Sequence, residues 1–180
     1  MGDDHPSIAK ALERAIEKNV IVVASAGRRV YTPIAFPAKC DRIFCIGSAN
    51  GYGAQAVSNP ANGKSEKFSA LGEGVQVEWP PSADPLNDPE LMSGYRCLPG
   101  SSTAAVVAAG IASLLIDFTR QFCNYAEGAD NFENMRKLFR EMSRQTATKE
   151  YPFLDLVSLF DRPDPKLRIK SILLEGSYGL

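Results

Sequence analysis

Gly100-Ser-Ser-Thr-Ala-Ala-Val-Val-Ala-Ala-Gly-Ile-Ala-Ser-Leu-Leu-Ile116 is the stretch that decides the fold of this 180-residue chain. From about Ser102 to Phe118 it reads as one helix, apolar on every side through successive turns. A helix of that kind is expected to be enclosed on all sides. Gly110 in its middle costs about 1 kcal/mol relative to Ala, which predicts a close packing neighbour. Ser101 and Ser102 stand in the first turn, where peptide N–H groups point outward and the helix dipole favours negative charge. That position suits a nucleophile whose attack creates an oxyanion. It equally suits a plain N-cap with no chemical part.

Upstream, Ile8, Ala11, Leu12, Ala15 and Ile16 fall at helical spacing, with Lys10, Glu13, Arg14, Glu17 and Lys18 opposite. Ser7 is the predicted N-cap and Asn19 the predicted stop. Val20 to Ser25 follows as a continuous apolar run, the pattern of a strand covered on both faces of a parallel sheet. Arg42 to Ser48 is a second such strand, and Val75 to Trp79 alternates like a strand with one covered face. Gly51 to Lys67 and Pro80 to Pro99 are rich in Gly, Pro, Asn, Ser and Asp and read as loops. Asn131 to Arg144 reads as a surface helix with Met135, Leu138, Phe139 and Met142 inward. This order of elements predicts an α/β fold in three layers around a mainly parallel sheet, incomplete at its N-terminal side. Residues 1–145 form the predicted domain, and 146–180 an extension packed on it or partly disordered.

A formal net charge of −1 gives no reason to expect nucleic acid or a membrane surface as partner. The longest apolar run is bounded by Asp117 and Arg120, short of a bilayer span. Met1 to Pro6 lacks the basic and apolar regions of a secretory signal. Cys40, Cys45, Cys97 and Cys123 form no Cys-x-x-Cys pair, and His5 is the single histidine. Neither a metal site nor a cofactor is expected, and the cysteines read as free, mostly buried thiols of a cytoplasmic protein. Asp84, Asp88 and Glu90 in a Pro-rich loop read as solvated charge rather than a calcium site. Gly51-Tyr52-Gly53 reads as a turn.

Four segments carry a resemblance. Ala11-Leu-Glu-Arg-Ala-Ile-Glu-Lys-Asn-Val-Ile-Val-Val-Ala-Ser-Ala-Gly27 resembles the helix and strand leading to the oxyanion-hole asparagine of subtilisin-like serine proteases, the subtilases. Phe36-Pro37-Ala38-Lys39 with Ile43-Phe44-Cys45-Ile46-Gly47-Ser48-Ala49 is similar to their Tyr-Pro-Ala turn and next strand. Phe68-Ser69-Ala70-Leu71-Gly72 with Val75 to Pro80 resembles the segment before the nucleophile. Gly100-Ser101-Ser102-Thr103-Ala104, ending in Ala108-Ala109-Gly110, resembles the Gly-Thr-Ser-Met-Ala…Val-Ala-Gly signature. The pieces run in order over residues 8–118, with spacings that fit the C-terminal half of the catalytic domain. Ile43 to Gly53 also resembles intracellular fungal subtilases that form one domain of larger proteins.

The resemblance implies a serine endopeptidase in which Ser102 is the nucleophile and a peptide or protein is the substrate. It implies that Ala24, Ser25, Ala26 and Gly27 form one wall of a substrate pocket, and that Phe36–Pro37 is a cis peptide; an ordinary strand end and a trans turn are the alternatives. Three departures stand beside the match. Arg28 occupies the oxyanion-hole position of the family asparagine, and its longer, charged fork does not reproduce that geometry. The family aspartate and histidine have no counterpart after Met1, and His5 does not sit where that histidine would. Val106-Val107 replaces the usual Pro-His pair. Without a base a serine hydroxyl is unactivated, so activity of this chain alone requires the missing N-terminal half of the domain as partner. The competing expectation is a non-catalytic pseudopeptidase, a binding or regulatory module. A third is an unrelated doubly wound domain that binds a small ligand at its strand ends.

Overall fold

The computed structural model describes residues 5–27, 33–60, 65–78, 94–122, 128–145, 150–161 and 163–174. Its elements, in order, are α1 (Pro6–Glu17), β1 (Val23–Ser25), β2 (Phe44–Ala49), β3 (Lys67–Leu71), β4 (Gln76–Glu78), β5 (Tyr95–Cys97), α2 (Ser101–Phe122), α3 (Phe132–Met142), β6 (Ser143–Arg144), β7 (Phe153–Leu154), α4 (Leu156–Phe160) and α5 (Pro165–Leu174). Five strands form one sheet in the order β1-β2-β3-β7-β6, parallel from β1 through β7, with β6 antiparallel at the far edge.

Strand alternation divides the core between the two faces of this sheet. Phe44, Ile46, Phe68 and Ala70 point to the side where α2, α3, α4 and α5 pack. Phe44 stacks on Phe132 of α3 at 4.6 Å between ring centres, and Phe68 meets Phe139 edge-on at 5.4 Å. Ala24, Ala26, Ile43 and Cys45 form a second cluster with Tyr151, against which Leu12 and Ile16 of α1 rest. The result is the expected α/β architecture: α1, a mostly parallel sheet, and a helical layer. Within α3, Met135, Leu138, Phe139 and Met142 are buried as their spacing predicts, and the Asn131 side chain caps the helix by accepting from the Asn134 N–H.

Several local expectations are corrected. Helix α1 starts one residue before Ser7, with His5 at its N-cap, and the Ser7 hydroxyl bonds the His5 ring at 2.8 Å. Within the stretch read as a strand from Val75 to Trp79, Gln76–Glu78 forms β4, which lies outside the main sheet and pairs antiparallel with β5, inside the stretch read as a loop; Trp79 lies outside the described residues. Ser143 takes an extended backbone, so α3 stops at Met142 and the chain turns into β6. Strand β7 reaches the sheet between β3 and β6, with the Ser69 N–H donating to Pro152 O at 2.8 Å. Of the described cysteines Cys45 is buried, Cys40 half-buried and Cys97 exposed, so the thiols are not mostly buried.

The largest correction concerns α2. It is not enclosed. Ser101, Ala104, Ala108, Ala112, Leu115 and Thr119 form one buried stripe on the sheet, while Val106 is 72 % exposed and Leu114 and Phe122 are about half exposed. Nothing lies within 4 Å of where a Gly110 Cβ would stand. By length and composition alone α2 is apolar enough to cross a membrane, so the expectation that no run reaches that length does not hold. Its buried stripe packs on β1, β2 and β3 instead. Grooves flank the exposed ridge: one of about 300 Å³ toward β1 and one of about 610 Å³ toward α4.

Candidate functional site

The C-terminal ends of β1, β2 and β3 and the start of α2 come together at one place. Gly100 has φ +136°, a region that favours glycine, and lets the chain turn directly into α2. Its N–H donates to Gly72 O at 2.8 Å, and its carbonyl accepts the first helical bond, from the Ala104 N–H at 3.1 Å. The N–H groups of Ser101, Ser102 and Thr103 therefore precede the helical ladder. No acidic residue occupies the first turn to neutralise them.

The two serines have different surroundings. Ser101 is buried, and its hydroxyl donates to Gly27 O at 2.8 Å. A hydroxyl has one proton to give, so the 2.8 Å contact between Ser25 Oγ and Ser101 Oγ is donated by Ser25. The Gly27 N–H, 3.4 Å from Ser25 Oγ, closes the ring. This ring pins the end of β1 to the first turn of α2. Ser102, next in the chain, is exposed, and its hydroxyl has no hydrogen-bond partner among the described residues. Ser102 thus stands exposed in the first turn of α2, next in the chain to the residue that binds Gly27 O.

Ala24, Ser25, Ala26 and Gly27, expected to form one wall of a substrate pocket, make up the end of β1 and the two residues after it. Ala24 and Ala26 are buried in the core cluster with Ile43, Cys45 and Tyr151, and the Ala26 N–H donates to Ile46 O at 2.9 Å. Ser25 is drawn into the hydroxyl ring. Gly27 has φ +103° and faces Ala35, 3.7 Å from where a Cβ would be. The Ala35 N–H donates to Ala26 O at 3.3 Å, and the next peptide but one, Phe36–Pro37, is cis. Ala35 was not singled out in the sequence; its one signal is its place just before the Phe-Pro turn. Arg28, Asp84, Asp88 and Glu90 lie outside the described residues.

Beneath the helix start is a second polar group that the sequence did not flag. The Ser48 hydroxyl donates to Glu73 Oε1 at 2.7 Å. The Asn59 amide clamps the Ser48 backbone, accepting from its N–H and donating to its carbonyl, each at 2.8 Å. A Cβ on Gly72 would stand 2.5 Å from Ser48 Oγ, 2.7 Å from Gly100 O and 2.9 Å from Ala104 Cβ. Glycine is thus required where β3 ends under α2, and the signal was the Leu71-Gly72-Glu73-Gly74 run.

The buried thiol Cys45 is not a competing nucleophile. Burial pushes the Cys45 thiol up to about 11, against the weaker opposing pull of Ser65 and Lys67, which leaves it protonated and inert. His5, at the start of α1, belongs to the layer across the sheet from α2. No cluster of three metal-ligating side chains occurs among the described residues.

No protein-family model and no curated protein matches the sequence. Solved structures do match the fold. The self-cleaved protease domain of PatA superposes with a TM-score of 0.70 at 19 % identity, over 94 % of this chain and 57 % of that one. The prenylagaramide maturation protease PagA gives 0.68 at 17 % identity, over 87 % and 55 %. The PatG macrocyclase in complex with peptide gives 0.62 at 18 % identity, over 99 % and 50 %. The chain therefore spans about half the length of the structures it matches, and its fold is that of half a subtilisin-like domain.

Proposed function

We propose that this chain carries the nucleophile half of a subtilase site and acts in peptide-bond hydrolysis once a base is supplied from outside it. The observation that carries the reading is the 2.8 Å bond from Ser101 to Gly27 O, with Ser102 exposed beside it. Ser102 Oγ attacks the peptide carbonyl carbon while its proton passes to the base. The carbonyl oxygen becomes an oxyanion near the Ser102 N–H at the helix start. Collapse expels the amine, which takes the proton from the base, and leaves an acyl-serine that water then cleaves. The side chain preceding the scissile bond lies along Ala24 to Gly27. PatG was solved with a peptide bound, which makes peptides a plausible substrate class here as well.

Arg28 supports the second reading, a non-catalytic module that holds peptides without cleaving them. One lost oxyanion donor costs about 2.7–4 kcal/mol, a value taken from subtilisin itself. Labelling with a fluorophosphonate separates the two. The protein isolated from its native source, with whatever polypeptide accompanies it, is treated and digested. An adduct on Ser102 that Ser102→Ala abolishes supports the peptidase. A folded, accompanied protein that takes up no label supports the binding module.

A further inference from the structure

We propose that the groove between the C-terminal half of α2 and α4 is a binding site for a small amphipathic organic cation, one ammonium group on an apolar body. The site goes beyond the proposed function and does not rest on it. Phe118 lies sixteen residues along α2 from Ser102, roughly 24 Å at the helical rise.

The groove encloses about 610 Å³ between two elements of this chain, a size that takes up small molecules. Leu114, Leu156 and Val157 supply aliphatic surface. Three rings form a continuous row: Phe118 meets Phe160 edge-on at 5.1 Å between centres, and Phe122 at 5.0 Å. The walls are open to a ligand, with Val157 67 % exposed and Phe122 about half exposed.

Apolar surface alone accepts any apolar ligand, so the charges decide which one fits. The charged groups on the lining are two carboxylates, Asp117 and Asp161. Asp117 accepts from the Gln121 amide at 2.7 Å, and neither carboxylate forms an ion pair among the described residues. Arg120, the basic residue of the last turn of α2, lies on the other flank, where it pairs with Asp130. Helix α2 ends at Phe122, so its last carbonyls add partial negative charge at the same place. Aromatic faces attract ammonium groups as well. Lys166 already uses the outer ring of the row, its ammonium 4.7 Å from the centre of Phe122. No side-chain cation of the described residues lies over Phe118 or Phe160. An anion would meet two carboxylates and a helix C-terminus here, and a neutral apolar molecule would leave both carboxylates uncompensated. An ammonium on an apolar body matches the aliphatic wall, the rings and the charge together.

Titration of the full chain with phenylbutyl-trimethylammonium, followed by NMR of labelled Leu and Val methyl groups, tests the site. The comparison ligands are the same molecule with tert-butyl in place of the trimethylammonium head, and phenylpentanoate. Expected are methyl shifts at Leu114, Leu156 and Val157, at least tenfold weaker binding of the tert-butyl compound, and no binding of the carboxylate. Asp117→Asn combined with Asp161→Asn, both at exposed positions, should weaken the cation at least tenfold and leave the melting temperature unchanged. Glu13→Gln on α1, across the sheet, should change nothing. Val157→Arg places a guanidinium in the groove and should displace the cation. No binding, methyl shifts centred elsewhere, equal affinity for the tert-butyl compound, or indifference to the double substitution each overturn the proposal. So does binding of a basic amphipathic peptide without binding of the small cation. Ser102→Ala leaves the titration unchanged, so this site and the proposed peptidase fail separately.

Discussion

Gly72 packs under the start of α2 and Gly110 lies within it, and Gly→Ala should act on them with opposite sign. At Gly72 the added methyl meets three atoms that have little freedom. Ser48 Oγ is held by Glu73, Gly100 O is backbone, and Ala104 Cβ is fully buried. The contacts of 2.5–2.9 Å force the helix start away from β3. Overpacking of this kind costs about 1–3 kcal/mol, and losing the Gly100 N–H bond to Gly72 O adds about 1 kcal/mol. The total, roughly 2–4 kcal/mol, lowers the melting temperature by about 5–15 °C in a chain of this size. At Gly110 the methyl meets nothing. The helix gains the Ala-over-Gly preference of about 1 kcal/mol, and the melting temperature rises by about 2–4 °C. Urea and thermal unfolding followed by helical circular dichroism measure both. Gly72→Ala within about 0.5 kcal/mol of wild type, or Gly110→Ala less stable than wild type, refutes the packing described for α2.

Ser101 and Ser102 should separate in the same assay. Ser101→Ala strands Gly27 O and Ser25 Oγ and costs about 1–3 kcal/mol, whereas Ser102→Ala, at an exposed position, stays within about 0.5 kcal/mol. Equal losses would show that the hydroxyl ring does not hold β1 to α2. Alkaline pH should destabilise the fold through Cys45. The thiol titrates at 9.0 when free and at about 11 in the fold, so between those values the unfolded chain releases a proton that the folded chain keeps. Stability is then undiminished below pH 9 and falls as pH rises toward 11, by about 3 kcal/mol in all. Tyr151, whose phenol is also raised by burial, adds to the fall at still higher pH. Cys45→Ala should flatten the limb between pH 9 and 11; an unchanged slope would place the thiol in contact with water.

What the sequence made legible follows from what periodicity can encode. The α3 face is written in four large residues at helical spacing, and those four are buried. Strand β2 is written as an apolar run, and all six of its residues are buried. Strands β6 and β7 are two residues each, too short to carry a pattern, and β3 begins at Lys67, inside a loop-like composition. For α2, composition reports that a helix is apolar all round, which states how much cover it needs and not whether this chain provides it. Gly110 was read as needing a close neighbour, and the described residues place none within 4 Å of where its Cβ would stand. Near the start of α2, the closeness of the β1 end to the helix start was readable from motif and order, and the Ser101–Gly27 bond shows it. The ring through Ser25 and Ser101, the Ala35 contact and the Ser48–Glu73 pair were not, since each joins residues that only the sheet brings together.

Two deficits meet at the β1 edge. A serine at a helix start without its base keeps only binding and oxyanion stabilisation, about 10³–10⁴-fold over water in sites of this kind, against a far larger rate for the full set. Among the described residues no strand pairs with the outer edge of β1, and part of α2 is exposed, which a mostly parallel sheet does not favour. If one occupant covers that surface and brings the base, burial and catalysis become linked. Every kilocalorie gained by docking then stabilises the assembled state in which Ser102 is activated.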